Sequence, residues 1–250
     1  MIRMNRPIRK LILAMSVLVV VVIIFAQRYY KQQNQEVDPR IVPARELYAT
    51  YNDLAVKGDY DSVFKMLDEV EAIYSGIGHY RNSFEQGVIS NNRAAVWLTM
   101  GLDGSTYDST ARDSLIKLAE GAIKYSIMIY ENWEDQFGHA DPEKCSAFIS
   151  NDFLGGLEHY DQEQQEKYLH NRVKEIVRSA GETRRRLSVS YTNMGIVHRF
   201  HERYDSAALC YTRALELWDR NLTAENNLNL LLGRPQRKQN IIQRLFPPER

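Results

Sequence analysis

Few residues in this chain stand in a pattern that could do chemistry. His198 and His201 lie three apart on one predicted helix, a spacing that can hold a metal ion. Zinc sites present three or four ligands, and no cysteine or carboxylate pattern completes this pair locally, so both read as structural residues. His139, Asp141 and Cys145 form a second loose group. There Asp141 precedes Pro142 and Glu143, the signature of a helix start in which the aspartate is already occupied as the cap. The sequence contains no HExxH, no GxSxG, no CxxC and no GxGxxG after a strand. Residues 101–105 read as an exposed turn, too sparse in glycine and lacking the lysine of a phosphate-binding loop. Arg184 to Arg186 ahead of Ser188 would suit a basic-directed kinase, but a solvated helix start accounts for them more simply. The expectation is a chain with no catalytic residues, no metal and no cofactor.

The totals narrow the class further. At 250 residues there is room for one or two domains and a sizeable core. The formal charge is zero but unevenly spread: the first 31 residues carry six cations and no acids, leaving 26 basic against 32 acidic groups in the rest. An acidic body argues against nucleic-acid binding, which needs a cationic surface to displace counterions. Cys145 and Cys210 can pair in an oxidising compartment, yet Cys210 falls inside a predicted packed helix, and both read as small buried residues.

The apolar run LILAMSVLVVVVIIFA at 11–26 is uncharged. As a helix it would reach about 24 Å, against a hydrocarbon core of roughly 30 Å. Ile8 lengthens it, Arg9 and Lys10 can snorkel to headgroups, and Tyr29 and Tyr30 sit where an interfacial belt would be. A cleaved signal peptide would want small residues one and three places before the cut; Ala26 suits the first and Ile24 is bulky at the other. The run therefore reads as an uncleaved signal-anchor. Arg3, Arg6, Arg9 and Lys10 precede it while Arg28, Lys31 and Arg40 follow, which favours an amino terminus in the cytoplasm and a body outside it, periplasmic if the source is a Gram-negative bacterium. The triplet Asn221-Leu222-Thr223 is a glycosylation sequon that would matter only in a eukaryotic secretory route.

The remainder divides into 1–10 as a cytoplasmic basic segment, 27–43 as a spacer ending at Pro39 and Pro43, a helical body over 44–233, and a basic tail over 234–250. Within the body, apolar spacing predicts helices over 44–77, 84–100 and from Asp108 or Ser109 to about Trp133. Residues 136–142 are irregular, a short helix runs from there to about Leu154, and Gly155 and Gly156 end it. Another helix covers 162–180, with Tyr168, Val173, Ile176 and Val177 as its stripe and Gly181 as its break. A helix over 225–233 closes the body. No convincing strand appears, so the fold class is all-α.

Residues 188–221 organise this body. They read as two antiparallel helices in 34 residues. The first carries Tyr191, Met194, Gly195 and His198 on one side; the second carries Ala207, Tyr211 and Ala214 on its inner side. Small residues at Gly195, Ala207 and Ala214 let the backbones approach, and the rings fill the gaps. This pattern resembles the tetratricopeptide repeat, whose period is 34 residues. It departs at Asp219, where the family usually has proline, and at Tyr191, which replaces a tryptophan. GDYDSV at 58–63 aligns with ERYDSA at 202–207, an offset of 144, so 44–77 looks like an earlier copy in which Tyr51 stands at the glycine place. Residues 84–133 look like another, with Ala94 as the small residue and Trp97 as its aromatic partner. The resemblance implies a helical-hairpin solenoid of about three repeat-like pairs plus a capping helix.

It also implies a binding face. In such repeats the first helices build a concave groove for extended peptides or partner helices. Asn92, Asn193 and Asn227 occupy the asparagine place of that face, and an amide offers a donor and an acceptor to any peptide bond. Ile196, Arg199 and Phe200 extend it, the guanidinium suiting a carboxylate. The function implied is a non-catalytic, membrane-anchored module for protein–protein interaction, a scaffold or chaperone-like accessory of an envelope or secretion complex. An enzyme with its site in the irregular 136–156 region is the alternative, and self-association a third reading.

Overall fold

The computed structural model describes residues 37–238. The anchor at 11–26, the segment 1–10, most of the spacer and the end of the tail lie outside the described residues. Among those described, no helix is long and apolar enough to cross a membrane.

The described chain is all-helical. Its helices are α1 (Val42–Tyr48), α2 (Tyr51–Lys57), α3 (Tyr60–Ser75), α4 (Phe84–Leu102), α5 (Ser109–Phe137), α6 (Pro142–Leu154), α7 (Gln162–Arg178), α8 (Ala180–Phe200), α9 (Tyr204–Leu217) and α10 (Leu222–Leu231). Short 3-10 turns occupy Pro39–Ile41 and Gly78–Tyr80. Aspartate or asparagine punctuates the starts. Asp59, Asp108, Asp141 and Asp161 accept the backbone N–H three residues on, at 3.3, 2.8, 2.8 and 2.8 Å. Each satisfies one of the donors that a helix start leaves unpaired.

Two hairpins form the centre. Helix α4 packs along α5, α8 packs along α9, and α5 lies on α8 to join the pairs. Upstream, α1 and α2 pack on α3, which meets α4; downstream, α10 covers α9. Small residues allow the close approach inside each hairpin. A Cβ on Gly195 would lie 2.4 Å from Tyr211 Cε1, and one on Gly87 would lie 2.7 Å from Tyr130 Cε1. Ala94 is fully buried and sits midway in a seven-residue series Gly87, Ala94, Gly101.

Several expectations about boundaries are corrected. Gly101 is not in an exposed turn: it is the buried last turn of α4, where a Cβ would meet Ile116 Cδ1 at 2.9 Å. The exposed turn starts at Asp103, whose carboxylate accepts from Ser105 and Thr106. Helix α5 runs on to Phe137 because Trp133 and Phe137 continue its buried stripe, so the irregular segment shrinks to 138–141. Gly181 lies inside α8; the break falls at Ser179. Folded structure also begins ahead of residue 44. Ile41 is buried, and Arg40 donates to the carbonyls of Phe153 and Gly155, tying the chain entry to the end of α6.

Tyr51 occupies the place that Gly195 holds 144 residues later, and the first helix of that pair is broken just before it, into α1 and α2. Tyr48 and Tyr51 stack across this break with centroids 5.7 Å apart. The hairpin turns of the two copies do match: Gly58 has φ 73° and Glu202, at the same offset, has φ 58°.

Helices α6 and α7 are not a link in this row. They form an inserted hairpin, α6 against the Gly78–Tyr80 turn and α7 reaching α8. The core accordingly has two clusters. One gathers Leu67, Tyr80, Phe84, Tyr130, Trp133 and Phe153 with the inserted hairpin; the other gathers Ala94, Leu98, Ile116, Ile123, Met194 and Val197. Cys145 belongs to the first, Cys210 packs against the second, and both are free thiols.

Candidate functional site

The three asparagines to which the repeat resemblance gives a groove role all lie half-buried on the first helices of successive pairs. Each bonds to a neighbour. Asn92 of α4 donates to the Tyr48 hydroxyl of α1. Asn193 of α8 donates to Asn91 Oδ1 of α4 at 3.0 Å. Arg199 of α8 donates through Nη1 to Asn227 Oδ1 of α10 at 2.8 Å, and Asn227 donates onward to the Thr223 carbonyl. These contacts form a polar row across α1, α4, α8 and α10. Arg199 and Asn227 are brought together directly; Asn92 and Asn193 are not joined to each other but share the row through Asn91. Ile196 and Phe200 are half-buried against the second core cluster, and Arg112 of α5 sits over the Phe200 ring at 5.6 Å.

Behind the row lies a layer of buried hydroxyls. Ser190 bonds Ser126 at 2.8 Å and Asn91 at 3.2 Å. Asn221, 3% exposed, donates to Ser188 Oγ and Thr192 Oγ1 and caps α10 by accepting from Ala224 at 3.0 Å. The sequon at Asn221 is therefore spent inside the fold.

The strongest electrostatic feature is elsewhere, and spacing did not reveal it. Arg172 of α7 is 2% exposed, and each of its guanidinium nitrogens donates a hydrogen bond. It holds both oxygens of Glu85 (2.6 and 3.1 Å), donates from Nε to His79 Nε2 (2.9 Å), and meets Glu175 at 2.9 Å. Its guanidinium carbon stands 4.4 Å from the Tyr80 ring centre, 5.4 Å from Phe84 and 5.9 Å from Trp133. Burial alone would push the Glu85 carboxyl up, but Arg172 outweighs it and holds the group below its usual range. Burial, with Arg172 and Arg40 adding repulsion, drives His79 down to about 2. His79 is thus neutral and accepts at Nε2, which leaves its proton on Nδ1. One signal in the sequence pointed here: Arg172 sits four residues after Tyr168 and beside Val173, a cation inside an apolar stripe. Cations there are buried only when paired.

The other candidates do not assemble. His139 and Asp141 are exposed, Asp141 serving as the cap of α6, while Cys145 is buried. His198 has a buried Nδ1 with no partner, and burial lowers its pKa, while His201 is exposed. Among the described residues, no group of three His, Cys, Asp or Glu side chains could hold a metal ion. A depression of about 680 Å³ between α6 and α7 is bordered by Glu143, Glu166 and His170. Glu166 accepts from Gln162 at 2.8 Å, while Glu143 and His170 are exposed and their side chains make no hydrogen bond among the described residues.

No family model, curated protein or solved structure matches this chain.

Proposed function

We propose that this protein is a non-catalytic interaction module of the tetratricopeptide-repeat kind, held at a membrane by residues 11–26, with its body outside the cytoplasm. It takes an extended protein segment on the face built by α1, α4, α8 and α10. One observation carries the reading: the polar row along these helices is only half spent. Asn92 Oδ1 and Asn193 Oδ1 receive no hydrogen bond, and Arg199 uses Nη1 alone. A peptide backbone needs what remains, an acceptor for its N–H and a charged fork for its carbonyl or terminal carboxylate. Ile196 and Phe200 supply the apolar contact beside it. The arrangement of hairpins, with the Gly195–Tyr211 contact setting their separation, supports a short solenoid closed by α10.

The test is co-purification from gently solubilised membranes, comparing the native chain with an Asn193→Ala, Arg199→Glu double variant whose helicity and melting are first shown to be retained. A partner captured by the native chain and lost from the variant is the expected result. The same partners on both would move binding to the anchor, the tail or the inserted hairpin, and would sink the groove reading.

A further inference from the structure

A cavity of about 380 Å³ opens between the chain entry, α1 and the α7–α8 junction. Its size lies at the small end of the roughly 300–1,000 Å³ typical of ligand sites. Ile41 and Tyr168 give it apolar walls, and Tyr80 lines it.

Its charges are unequally committed. Every carboxylate that lines it already has a cation. Asp38 is held by Arg40 at 2.8 Å, Glu175 lies between Arg172 (2.9 Å) and Arg45 (2.5 Å), and Glu182 pairs with Arg185 at 2.9 Å. The cations are in surplus. Lys174 and Arg178 are exposed and, among the described residues, make no ion pair, and Arg45 spends only Nη2 there. Tyr80 has no exposed surface, yet its hydroxyl finds no hydrogen-bond partner. Buried hydroxyls are nearly always paired, because an unpaired one forfeits its water without replacement. The cavity is thus lined by the residue that carries the orphan hydroxyl and by cations that outnumber the committed carboxylates. What is missing is an acceptor with a negative charge and an apolar body.

We propose that this cavity is a binding site for a small organic carboxylate. The carboxylate accepts from Tyr80 Oη and from the unspent N–H groups of Arg45, with Lys174 and Arg178 drawing it in. Its apolar body lies against Ile41 and Tyr168. The site is independent of the groove: the two share no residue.

The experiment titrates the full-length chain in detergent with 3-methylbutanoate and 3-phenylpropanoate, following binding heat and melting temperature. The matching alcohol, 3-phenylpropanol, and inorganic phosphate serve as counterparts lacking either the charge or the apolar body. The expected result is saturable binding of a carboxylate with a raised melting temperature, and at least tenfold weaker binding of the alcohol and of phosphate. Tyr80→Phe keeps the ring over Arg172 and removes only the donor; it should weaken the carboxylate about tenfold, the loss of one charge-assisted hydrogen bond. Arg178→Glu, at an exposed position, should weaken it by a similar factor. No saturable binding of either carboxylate, equal binding of the alcohol, or affinity unchanged in both variants would each overturn the proposal.

Discussion

The Arg172 guanidinium grips both carboxylate oxygens of Glu85 in a site where the two side chains are 1% and 9% exposed. The pair fastens the inserted hairpin to the start of α4. A buried ion pair is a weak source of net stability, since desolvation offsets most of the attraction. It is a strong source of specificity, because either charge left alone in this aromatic shell is costly.

Glu85→Ala should therefore destabilise the protein by about 3–5 kcal/mol, the usual penalty for orphaning a buried charge. The double variant Glu85→Leu, Arg172→Met should be markedly more stable than Glu85→Ala, because no charge is left behind. Urea denaturation of the three proteins checks the order. A double variant no better than the single one would mean that the pair contributes net stability in its own right.

The same cluster sets a pH dependence. His79 faces Arg172 of α7 and Arg40 of the chain entry, with Tyr80, Trp133 and Phe153 around it. Folding lowers its pKa from 6.5 to about 2. Above pH 6.5 neither state holds the proton, and stability is flat. Below it only the unfolded chain does, so stability falls with a slope approaching ~1.4 kcal/mol per pH unit. Glu85, held below its ordinary value of 4.5, steepens the loss at still lower pH, since its contribution is present above that value and vanishes as acid protonates it. His79→Gln keeps an acceptor for Arg172 Nε and cannot titrate. Its urea midpoint should change much less between pH 6.5 and 4.5, with a residual slope from His198, also held low by burial. Equal slopes in the two proteins would show that His79 is not the sensor.

What the sequence revealed and what it concealed follow from range. Caps and turns are local: Asp141 before Pro142 gave α6, and the shared YDS gave the two hairpin turns. Gly195 opposite Tyr211 was legible because both lie within one period. The break at Tyr51 was legible as a missing small residue, though not its outcome, two short helices. Arg172, Glu85 and His79 were hidden because they are 87 and 93 residues from their partner. Only the inserted hairpin brings them together, and its packing on the Gly78–Tyr80 turn leaves no periodic mark. The asparagines were legible by position. Their partners Tyr48 and Asn91 were not, for the same reason.

Two glycines in helices should respond oppositely to alanine. At Gly195 a methyl would enter the Tyr211 ring, which is fully buried and cannot retreat, so Gly195→Ala should cost about 1–3 kcal/mol by overpacking. At Gly121 nothing lies within 4 Å of the added Cβ, and the helical position favours alanine, so Gly121→Ala should gain about 0.5–1 kcal/mol. Pairing Gly195→Ala with Tyr211→Leu should recover part of the loss. Melting temperatures give the signs directly, and a neutral Gly195→Ala would show that the α8–α9 separation does not depend on that contact.

The two matching turns make one of them a template for the other. Gly58 takes φ 73° freely, whereas Glu202 is forced to φ 58°, a conformation that crowds any Cβ. The residue after each also differs: Asp59 caps α3 by accepting from Ser62 N, while Arg203 gives α9 no side-chain cap. Replacing Glu202 with glycine removes the crowding but adds freedom to the unfolded chain, for a net gain of about 0.5–1 kcal/mol. Replacing Arg203 with aspartate supplies a carboxylate to the first N–H groups of α9 and to its dipole, worth about 0.5–2 kcal/mol. It forfeits only a 4.0 Å approach of Arg203 to Glu120. The two changes act on adjacent backbone and need not add. Urea unfolding of both single variants and the double variant separates them. If Glu202→Gly stabilises and Arg203→Asp does not, the left-handed residue alone distinguishes the two turns. If neither does, the 144-residue correspondence is a likeness of sequence without a likeness of energetics.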